Sequence, residues 1–227
     1  PLLRRIASEP GIELQVMFER IPDASGAYDA GFGRRVTWDL PLTDGYDFLL
    51  AKSISAVKRA LRQTDVLWLH GWNSFLKLRA LDAARRMRVP VLMRAENTLS
   101  AMPDGTGLRG IFKRLYVNWI FRRCAGFLCV GSDNRRYYEA HDLEASRLFF
   151  MPYAVDNDVF RTQADEAMAS EPLLRGKLGL DPGRPVILFA GKLQRRKHPE
   201  TLLDAFSRLD RDALGQPYLL YIGDGEL

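Results

Sequence analysis

The sequence predicts an α/β fold built from parallel sheets with helices on their faces. Short apolar runs alternate with longer segments of helical period along the 227 residues, as they do in such folds. Several runs are apolar throughout, which is typical of strands buried on both faces. The alternation lapses between residues 158 and 184 and then resumes, so we expect two domains.

The order of elements follows from these runs. Strands are predicted at residues 13–18, 65–70, 89–94, 126–131, 185–191 and 218–223. Helices are predicted at residues 47–62, 74–87, 107–123, 132–140 and 199–209, with a shorter helical stretch at 170–180.

Two domains of Rossmann type, both incomplete, are expected from this order. We predict a first domain over residues 1–157, a linker over 158–184 and the start of a second domain over 185–227. A single strand–helix–strand unit cannot bury its own apolar faces, so the rest of the second domain is expected beyond Leu227. Because the sequence starts at Pro1, the first strand of the first domain is expected to be missing as well.

Composition narrows the class of protein. The chain is 47% hydrophobic and 27% charged, as globular proteins are, and no run reaches the roughly 18 apolar residues of a membrane span. We therefore expect a cytoplasmic protein. Cys124 and Cys129 form no disulfide or metal framework and are expected to be reduced and buried. The net charge of +5 favours an anionic partner such as a phosphate, an acidic lipid surface or a nucleic acid.

A basic loop follows the predicted strand at 185–191. Lys192 and Lys197 stand five positions apart where the strand turns into a helix, so both can face one anion. A diphosphate leaving a sugar gains negative charge, which two ammonium groups beside a helix N-terminus would stabilise. Arg195 and Arg196 lie between the lysines, so a solvated basic loop remains an open alternative.

The segment AGKLQRRKHPETLLDAF, followed by YIGDGEL, resembles the start of the donor domain of glycosyltransferase family 4, which has the GT-B fold. The residues that carry this resemblance are Gly191, Lys192, Lys197, Gly223, Asp224 and Gly225. The family's PxxVDxxxF segment, which crosses between its two domains, is matched by Pro152, Val155, Asp156 and Phe160.

The resemblance implies a retaining transferase that moves a hexosyl group from a nucleotide diphosphate sugar to a hydroxyl acceptor, in polysaccharide or glycolipid biosynthesis. It implies that Gly191, Lys192 and Lys197 bind the donor diphosphate and that residues 223–225 lie near the nucleotide. No metal or other cofactor is expected, since the lysines supply the electrostatic stabilisation. For residues 223–225, a tight loop that needs glycine is the alternative.

The sequence departs from the family pattern in several places. His198 replaces the Gly or Arg that commonly follows the second lysine, and Lys192 stands where Arg is frequent, which bears on donor preference. The family's glutamate pair and the glycine-rich loop of its acceptor domain do not occur in the sequence. The pair is expected beyond Leu227, and the fragment alone is expected to be inactive.

Three polar residues follow neighbouring predicted strands of the first domain. His70 ends the strand at 65–70, while Arg94 and Glu96 follow the strand at 89–94. Carboxyl ends of parallel strands meet at one sheet edge, so these side chains are candidates for an acceptor with hydroxyls or an acidic group. A backbone-bonded histidine and a salt bridge closing the strand end are the alternatives.

The predicted helix at 107–123 is basic and rich in aromatic residues. It would dock on anionic headgroups as a peripheral membrane contact, or it would cover the sheet with its apolar face and leave its basic face to solvent. The second arrangement is the commoner one.

Other patterns are excluded by their context. GTGLRG (105–110) lies too far from the preceding strand for a dinucleotide site, and DND (156–158) and DRD (210–212) are too short to indicate a metal. Two alternatives to a transferase remain: a non-catalytic basic module that binds membranes or nucleic acid, and a GT-B relative that epimerises or phosphorolyses sugars. Nucleic acid is the less expected partner.

Overall fold

The computed structural model describes residues 2–21, 26–29, 31–37, 42–102, 105 and 107–227, with only the backbone described for Ala27. The helices are α1 (Leu2–Ala7), α2 (Ile54–Leu61), α3 (Phe75–Arg86), α4 (Gly107–Phe121), α5 (Ser132–Glu139), α6 (Asn157–Met168), α7 (Glu171–Leu178) and α8 (Pro199–Ser207). The strands are β1 (Gln15–Phe18), β2 (Ala27–Asp29), β3 (Arg34–Val36), β4 (Asp47–Leu50), β5 (Leu67–His70), β6 (Val91–Arg94), β7 (Gly126–Cys129), β8 (Leu148–Phe150), β9 (Val186–Ala190) and β10 (Tyr218–Ile222).

The predicted α/β class with parallel sheets is confirmed. The chain divides into two compact units, one formed by Pro1–Ile21 and Thr43–Val155, the other by Pro22–Leu42 and Asp156–Leu227. The main division therefore falls close to the predicted domain boundary at residue 157. The second unit also takes up residues 22–42, which the sequence pattern had left in the first domain.

The first unit is organised around a parallel sheet in the order β5-β6-β7-β8, and β1 and β4 form a separate parallel pair. His70, the last residue of β5, is in register with Arg94, the last residue of β6. Because the two strands are parallel, both residues lie at the same edge of the sheet. The core is apolar and aromatic, and its largest fully buried side chains include Phe121, Phe127, Tyr137, Tyr138, Leu61 and Leu81. Cys124 and Cys129 are buried free thiols, as predicted.

The helix predicted at 47–62 is wrong in its first part. Asp47–Leu50 is a strand that pairs in parallel with Gln15–Phe18, and the helix starts only at Ile54. Ser53 fixes this start because its Oγ accepts a hydrogen bond from the backbone N–H of Ala56 at 3.3 Å. Strand β8 and the strands β2 and β3 were not predicted either.

The second unit combines a parallel pair with an antiparallel hairpin. β9 and β10 are in register from Val186↔Tyr218 to Ala190↔Ile222, and β2 pairs with β3. The predicted linker at 158–184 holds most of α6 and all of α7 instead of an irregular segment with one short helix. Asp156 starts α6 because its carboxylate accepts the backbone N–H of Val159 at 3.2 Å.

Candidate functional site

The basic loop and the glycine turn lie together in the second unit. Beyond the ends of β9 and β10 the parallel pairing continues: Gly191 N donates to Ile222 O at 2.9 Å and Leu193 N donates to Asp224 O at 3.0 Å. The segments with Lys192 and with Asp224 are therefore neighbours along one edge. This edge lies beyond the carboxyl ends of the two strands, where ligands bind in open α/β sheets.

Glycine is required in the turn by close backbone approach. A Cβ built on Gly223 would lie 1.8 Å from the carbonyl oxygen of Gly191, and one on Gly225 would lie 2.2 Å from that of Leu193. Any side chain at either position would force the two segments apart. The tight-loop explanation therefore accounts for both glycines, and it is compatible with a nearby ligand.

Lys192 is held by a carboxylate that the sequence analysis did not find. Its Nζ donates to Oδ1 of Asp29, the last residue of β2, at 2.5 Å and lies 4.5 Å from the ring centroid of Phe32. Gln194 Nε2 also reaches Gly31 O at 3.5 Å. The hydrogen bond from Lys192 lowers the pKa of Asp29 below its ordinary value, aided by the backbone N–H groups of Gly31 and Phe32 and opposed by desolvation.

Lys197 has a different environment from Lys192. It ends a short 3-10 helix, Arg195–Lys197, and its side chain is exposed. His198 follows with φ of 55°, in the left-handed region, and Pro199 is the first residue of α8. This turn places Lys197 just before the N-terminus of α8, the end of a helix that favours anions. A left-handed conformation is one that glycine adopts most readily, which is the residue type the family often has at His198.

His70, Arg94 and Glu96 lie together in the first unit. They share a cavity of about 520 Å³ with other polar and aromatic side chains. Its described lining consists of His70, Gly71, Trp72, Asn73, Lys77, Arg94, Ala95, Glu96, Asn97, Met102 and Tyr153. Lys77 and Tyr153 were not predicted as site residues. Tyr153 falls within the segment that matches PxxVDxxxF, but at a position that the pattern leaves unspecified, so the pattern does not single it out.

The cavity wall is organised around Arg94. Its guanidinium carbon lies 4.7 Å from the ring centroid of Tyr153 and 5.9 Å from that of Trp68. The hydroxyl of Tyr153 donates to Oε1 of Glu96. The predicted alternative, a salt bridge that closes the strand end, is not found between Arg94 and Glu96 among the described contacts. Glu96 accepts a hydrogen bond from Tyr153 instead.

His70 is tuned toward its neutral form. Its ring stacks on Trp68 with centroids 4.8 Å apart, and the residue is exposed and lines the cavity. Desolvation by the surrounding protein atoms lowers its pKa below the ordinary value, and the positive charges of Arg94 and Lys77 lower that pKa further. A neutral imidazole can accept a proton or a hydrogen bond from a hydroxyl group.

Helix α4 exposes its apolar side. Leu108 is 74% exposed and Phe112 68%, and the same face continues through Ile111, Leu115, Tyr116 and Trp119. The side that packs on the core is narrower and consists of Gly110, Val117, Ile120 and Phe121. The commoner arrangement, in which the apolar face covers the sheet, is therefore wrong for these residues. Arg109 and Arg122 are exposed, and the guanidinium of Arg123 lies 3.6 Å from the ring centroid of Trp119.

Neither a membrane-spanning helix nor a cluster of metal-ligating side chains occurs among the described residues. No helix in that part of the chain is long and apolar enough to cross a membrane. No group of three or more His, Cys, Asp or Glu side chains in the same part could hold a metal ion. Of the GTGLRG pattern, Thr106 lies outside the described residues.

Comparison with known proteins gives a match in sequence over part of the chain and several weak likenesses in structure, among them two epimerases. No family model matches the chain. A D-inositol 3-phosphate glycosyltransferase from Xylanimonas cellulosilytica is 34% identical over 80 residues, which is 33% of this chain and 19% of that protein. The match therefore spans about a fifth of the relative's length.

The two structures are sugar-nucleotide epimerases. UDP-GlcNAc 2-epimerase from Neisseria meningitidis, bound to UDP-GlcNAc, gives a TM-score of 0.37 at 14% identity over 74% of this chain and 52% of its own. UDP-N-acetylglucosamine 2-epimerase from Rickettsia bellii gives a TM-score of 0.32 at 14% identity over 80% of this chain and 55% of its own. Overlaps at this level do not establish a common fold.

Proposed function

We propose that this chain is part of a retaining, GT-B-type glycosyltransferase that binds a nucleotide diphosphate sugar through its second unit and a hydroxyl acceptor through its first. The observation that carries the proposal is the pairing of the Gly191–Leu193 segment with the Gly223–Gly225 turn, which puts Lys192 at the carboxyl ends of β9 and β10. The stretch of sequence similar to a known glycosyltransferase supports the same activity.

Donor binding would use the two lysines in different ways. Lys197, exposed just before α8, would meet the diphosphate directly, as an ammonium beside a helix N-terminus does. Lys192 would exchange Asp29 for a phosphate oxygen, since its Nζ now contacts that carboxylate at 2.5 Å. As the bond from the sugar to the diphosphate breaks, both ammonium groups would stabilise the charge that grows on the leaving group. This role needs no metal ion.

The acceptor would bind in the cavity of the first unit. His70, Arg94 and Glu96 line it, and their mixture of neutral, cationic and anionic groups suits a molecule with several hydroxyls. The relative from Xylanimonas cellulosilytica is named for an acceptor of that kind, an inositol phosphate.

A peripheral membrane contact would be made by helix α4. Its exposed stripe has Leu108, Phe112 and Leu115 along one side, and Arg109 and Arg122 beside it. The helix holds no acidic residue, so its charge is complementary to anionic lipid headgroups. An acceptor anchored in such a surface would be brought close to the enzyme.

Thermal unfolding with a panel of nucleotides tests the donor assignment. Nucleoside diphosphates and their sugars should raise the midpoint of the chain in a concentration-dependent way, because only the folded state binds them. The Lys197→Ala variant should lose most of this shift. Arg195→Ala is the matched control, since it removes one positive charge from the same exposed loop and should keep the shift.

A well-folded chain whose midpoint no nucleoside diphosphate raises would overturn the donor site and favour the binding-module alternative. Because the fragment alone is expected to be inactive, binding of the nucleotide, and not turnover, is the readout of this test.

A further inference from the structure

The cavity of the first unit is lined by a buried cation, Arg94, that forms no ion pair with any of the described residues. Arg94 is 6% exposed, and its Nη2 is buried with no hydrogen-bond partner among the described residues. Its guanidinium carbon lies near two aromatic rings, 4.7 Å from the centroid of Tyr153 and 5.9 Å from that of Trp68. A buried guanidinium N–H without an acceptor costs free energy, and such groups in folded proteins usually mark a ligand, an ion or a water.

A second cation lies on the same wall. Lys77, in the first turn of α3, lines the cavity and donates from Nζ to Asn73 Oδ1 at 2.8 Å. An ammonium has three N–H donors, and this contact uses one of them. The backbone N–H of Lys77 is capped by Ser74 Oγ at 3.2 Å, which fixes the start of the helix and the place of the side chain.

The single carboxylate among the described lining residues does not balance these charges. Glu96 accepts the hydroxyl hydrogen of Tyr153, and no ion pair joins it to Arg94 or Lys77 within the described residues. Two cations and one anion leave the wall with a net positive charge. Guanidinium and ammonium groups that converge in a cavity bind phosphate and carboxylate groups, the guanidinium through two parallel hydrogen bonds.

We infer that this cavity is a binding site for an oxyanion carried by a small hydroxylated molecule, with Arg94 as its buried ligand and Lys77 as its second ligand. Neutral His70, at the end of the neighbouring strand, then faces the hydroxyls of the same molecule. The site as an anion site stands on the cavity alone. Its use as an acceptor subsite rests on the proposed function.

A matched set of ligands tests the site. Calorimetric titration of the chain with glucose, glucose 6-phosphate and glucuronate compares the same ring without an anion, with a phosphate and with a carboxylate. We expect one or both anionic sugars to bind and glucose to bind at least about tenfold more weakly, as a charge-assisted bond to a buried cation implies. The stronger of the two anionic ligands identifies the oxyanion.

Two variants locate the binding. Arg94→Gln and Lys77→Gln should each weaken the preferred anion about 10- to 100-fold, and Lys77→Gln serves if loss of the buried arginine impairs folding. Arg79→Gln is the control, because Arg79 is an exposed cation on the same helix outside the cavity lining. Equal affinity for glucose and both anionic sugars, or unchanged anion affinity in Lys77→Gln and in folded Arg94→Gln, would overturn the inference.

The result is separable from the donor proposal. Nucleotide binding is measured on the same samples and depends on Lys192 and Lys197, which belong to the other unit. A chain that binds the anionic sugar but no nucleotide keeps this site and loses the proposed function. A chain that binds a nucleotide but no anionic sugar keeps the donor site and loses this inference.

Discussion

Lys192 Nζ and Asp29 Oδ1 are 2.5 Å apart, although the two residues are separated by 163 positions in the sequence. The lysine that the sequence pattern relates to a diphosphate thus already has an anionic partner. Both side chains of this ion pair are about three-quarters buried, with exposed fractions of 24% for Lys192 and 23% for Asp29. A phosphate that binds Lys192 must compete with this carboxylate for the positive charge of the lysine.

Replacement of that carboxylate should strengthen donor binding. In Asp29→Asn the lysine loses its competing partner and the bound diphosphate is no longer repelled, so we expect affinity for a nucleoside diphosphate to rise about two- to fivefold, the range of a partly exposed ion pair. Calorimetric titration of the variant measures this. A lower affinity would mean instead that Asp29 holds Lys192 in the orientation that the ligand needs.

The glycine turn should tolerate no side chain. Gly223→Ala places a Cβ 1.8 Å from Gly191 O, so the two strand ends must separate, and we expect a loss of roughly 1–3 kcal/mol in the free energy of unfolding. Gly176→Ala is the control: this glycine lies inside α7 with no atom within 4 Å of the new Cβ, and alanine favours a helix by roughly 0.5–1 kcal/mol. Denaturant unfolding that ranks Gly223→Ala level with Gly176→Ala would contradict the close approach.

His70 should titrate below the ordinary histidine range. Desolvation, Arg94 and Lys77 all lower its pKa, so the unfolded chain takes up this proton at a higher pH than the folded one. Above the unfolded-state pKa of His70, this residue does not reduce the free energy of unfolding. As the pH falls from that value toward the lower pKa of the folded state, the free energy of unfolding decreases. In the Arg94→Gln variant the pKa should move up toward the ordinary value.

Proton NMR of the three histidines, with His70 assigned through His70→Asn, measures this shift. The wild-type chain and Arg94→Gln are titrated under the same conditions, so the difference between the two His70 curves measures the contribution of Arg94. A His70 pKa that is the same in both proteins would remove Arg94 from the causes of the shift.

Helix α4 should bind anionic vesicles through its exposed stripe. Flotation with phosphatidylserine-containing vesicles should recover the chain, whereas flotation with pure phosphatidylcholine vesicles should not. In the double variant Phe112→Ser/Leu115→Ser, the binding constant for the anionic vesicles should fall at least about tenfold. The control is Phe75→Ser. It removes an aromatic side chain that is 77% exposed but that lies on α3, outside the stripe of α4. An equal loss in the control variant, or equal binding to both vesicle types, would argue against a dedicated surface.

The strands that could be predicted are those that consist of consecutive apolar residues. The runs that form β5, β6, β7, β9 and β10 are apolar enough to be recognised without their partners. Asp47–Leu50 failed because its apolar residues continue into those of α2 at helical spacing, and only the cap at Ser53 separates the two elements. Hairpin β2–β3 has strands of three residues each, and β3 exposes two arginines, so neither strand gives a periodic signal.

The candidate sites were predicted in part for a similar reason. Strand ends are local features, so His70, Arg94 and Lys192 could be identified from their positions. Asp29 and Tyr153 contribute through contacts with distant residues, Lys192 in one case and Glu96 in the other. The burial of Arg94, with its Nη2 unbonded among the described residues, is likewise a property of packing between strands, and residue spacing does not encode it.

The most direct test of the donor site compares a nucleoside diphosphate with the corresponding monophosphate. Each is titrated calorimetrically into the chain and into the Lys192→Ala/Lys197→Ala double variant. The account predicts a single site at which the diphosphate binds at least about tenfold more tightly than the monophosphate, and a preference that disappears in the double variant. Absence of nucleotide binding by the folded chain, or a preference that survives loss of both lysines, would contradict it.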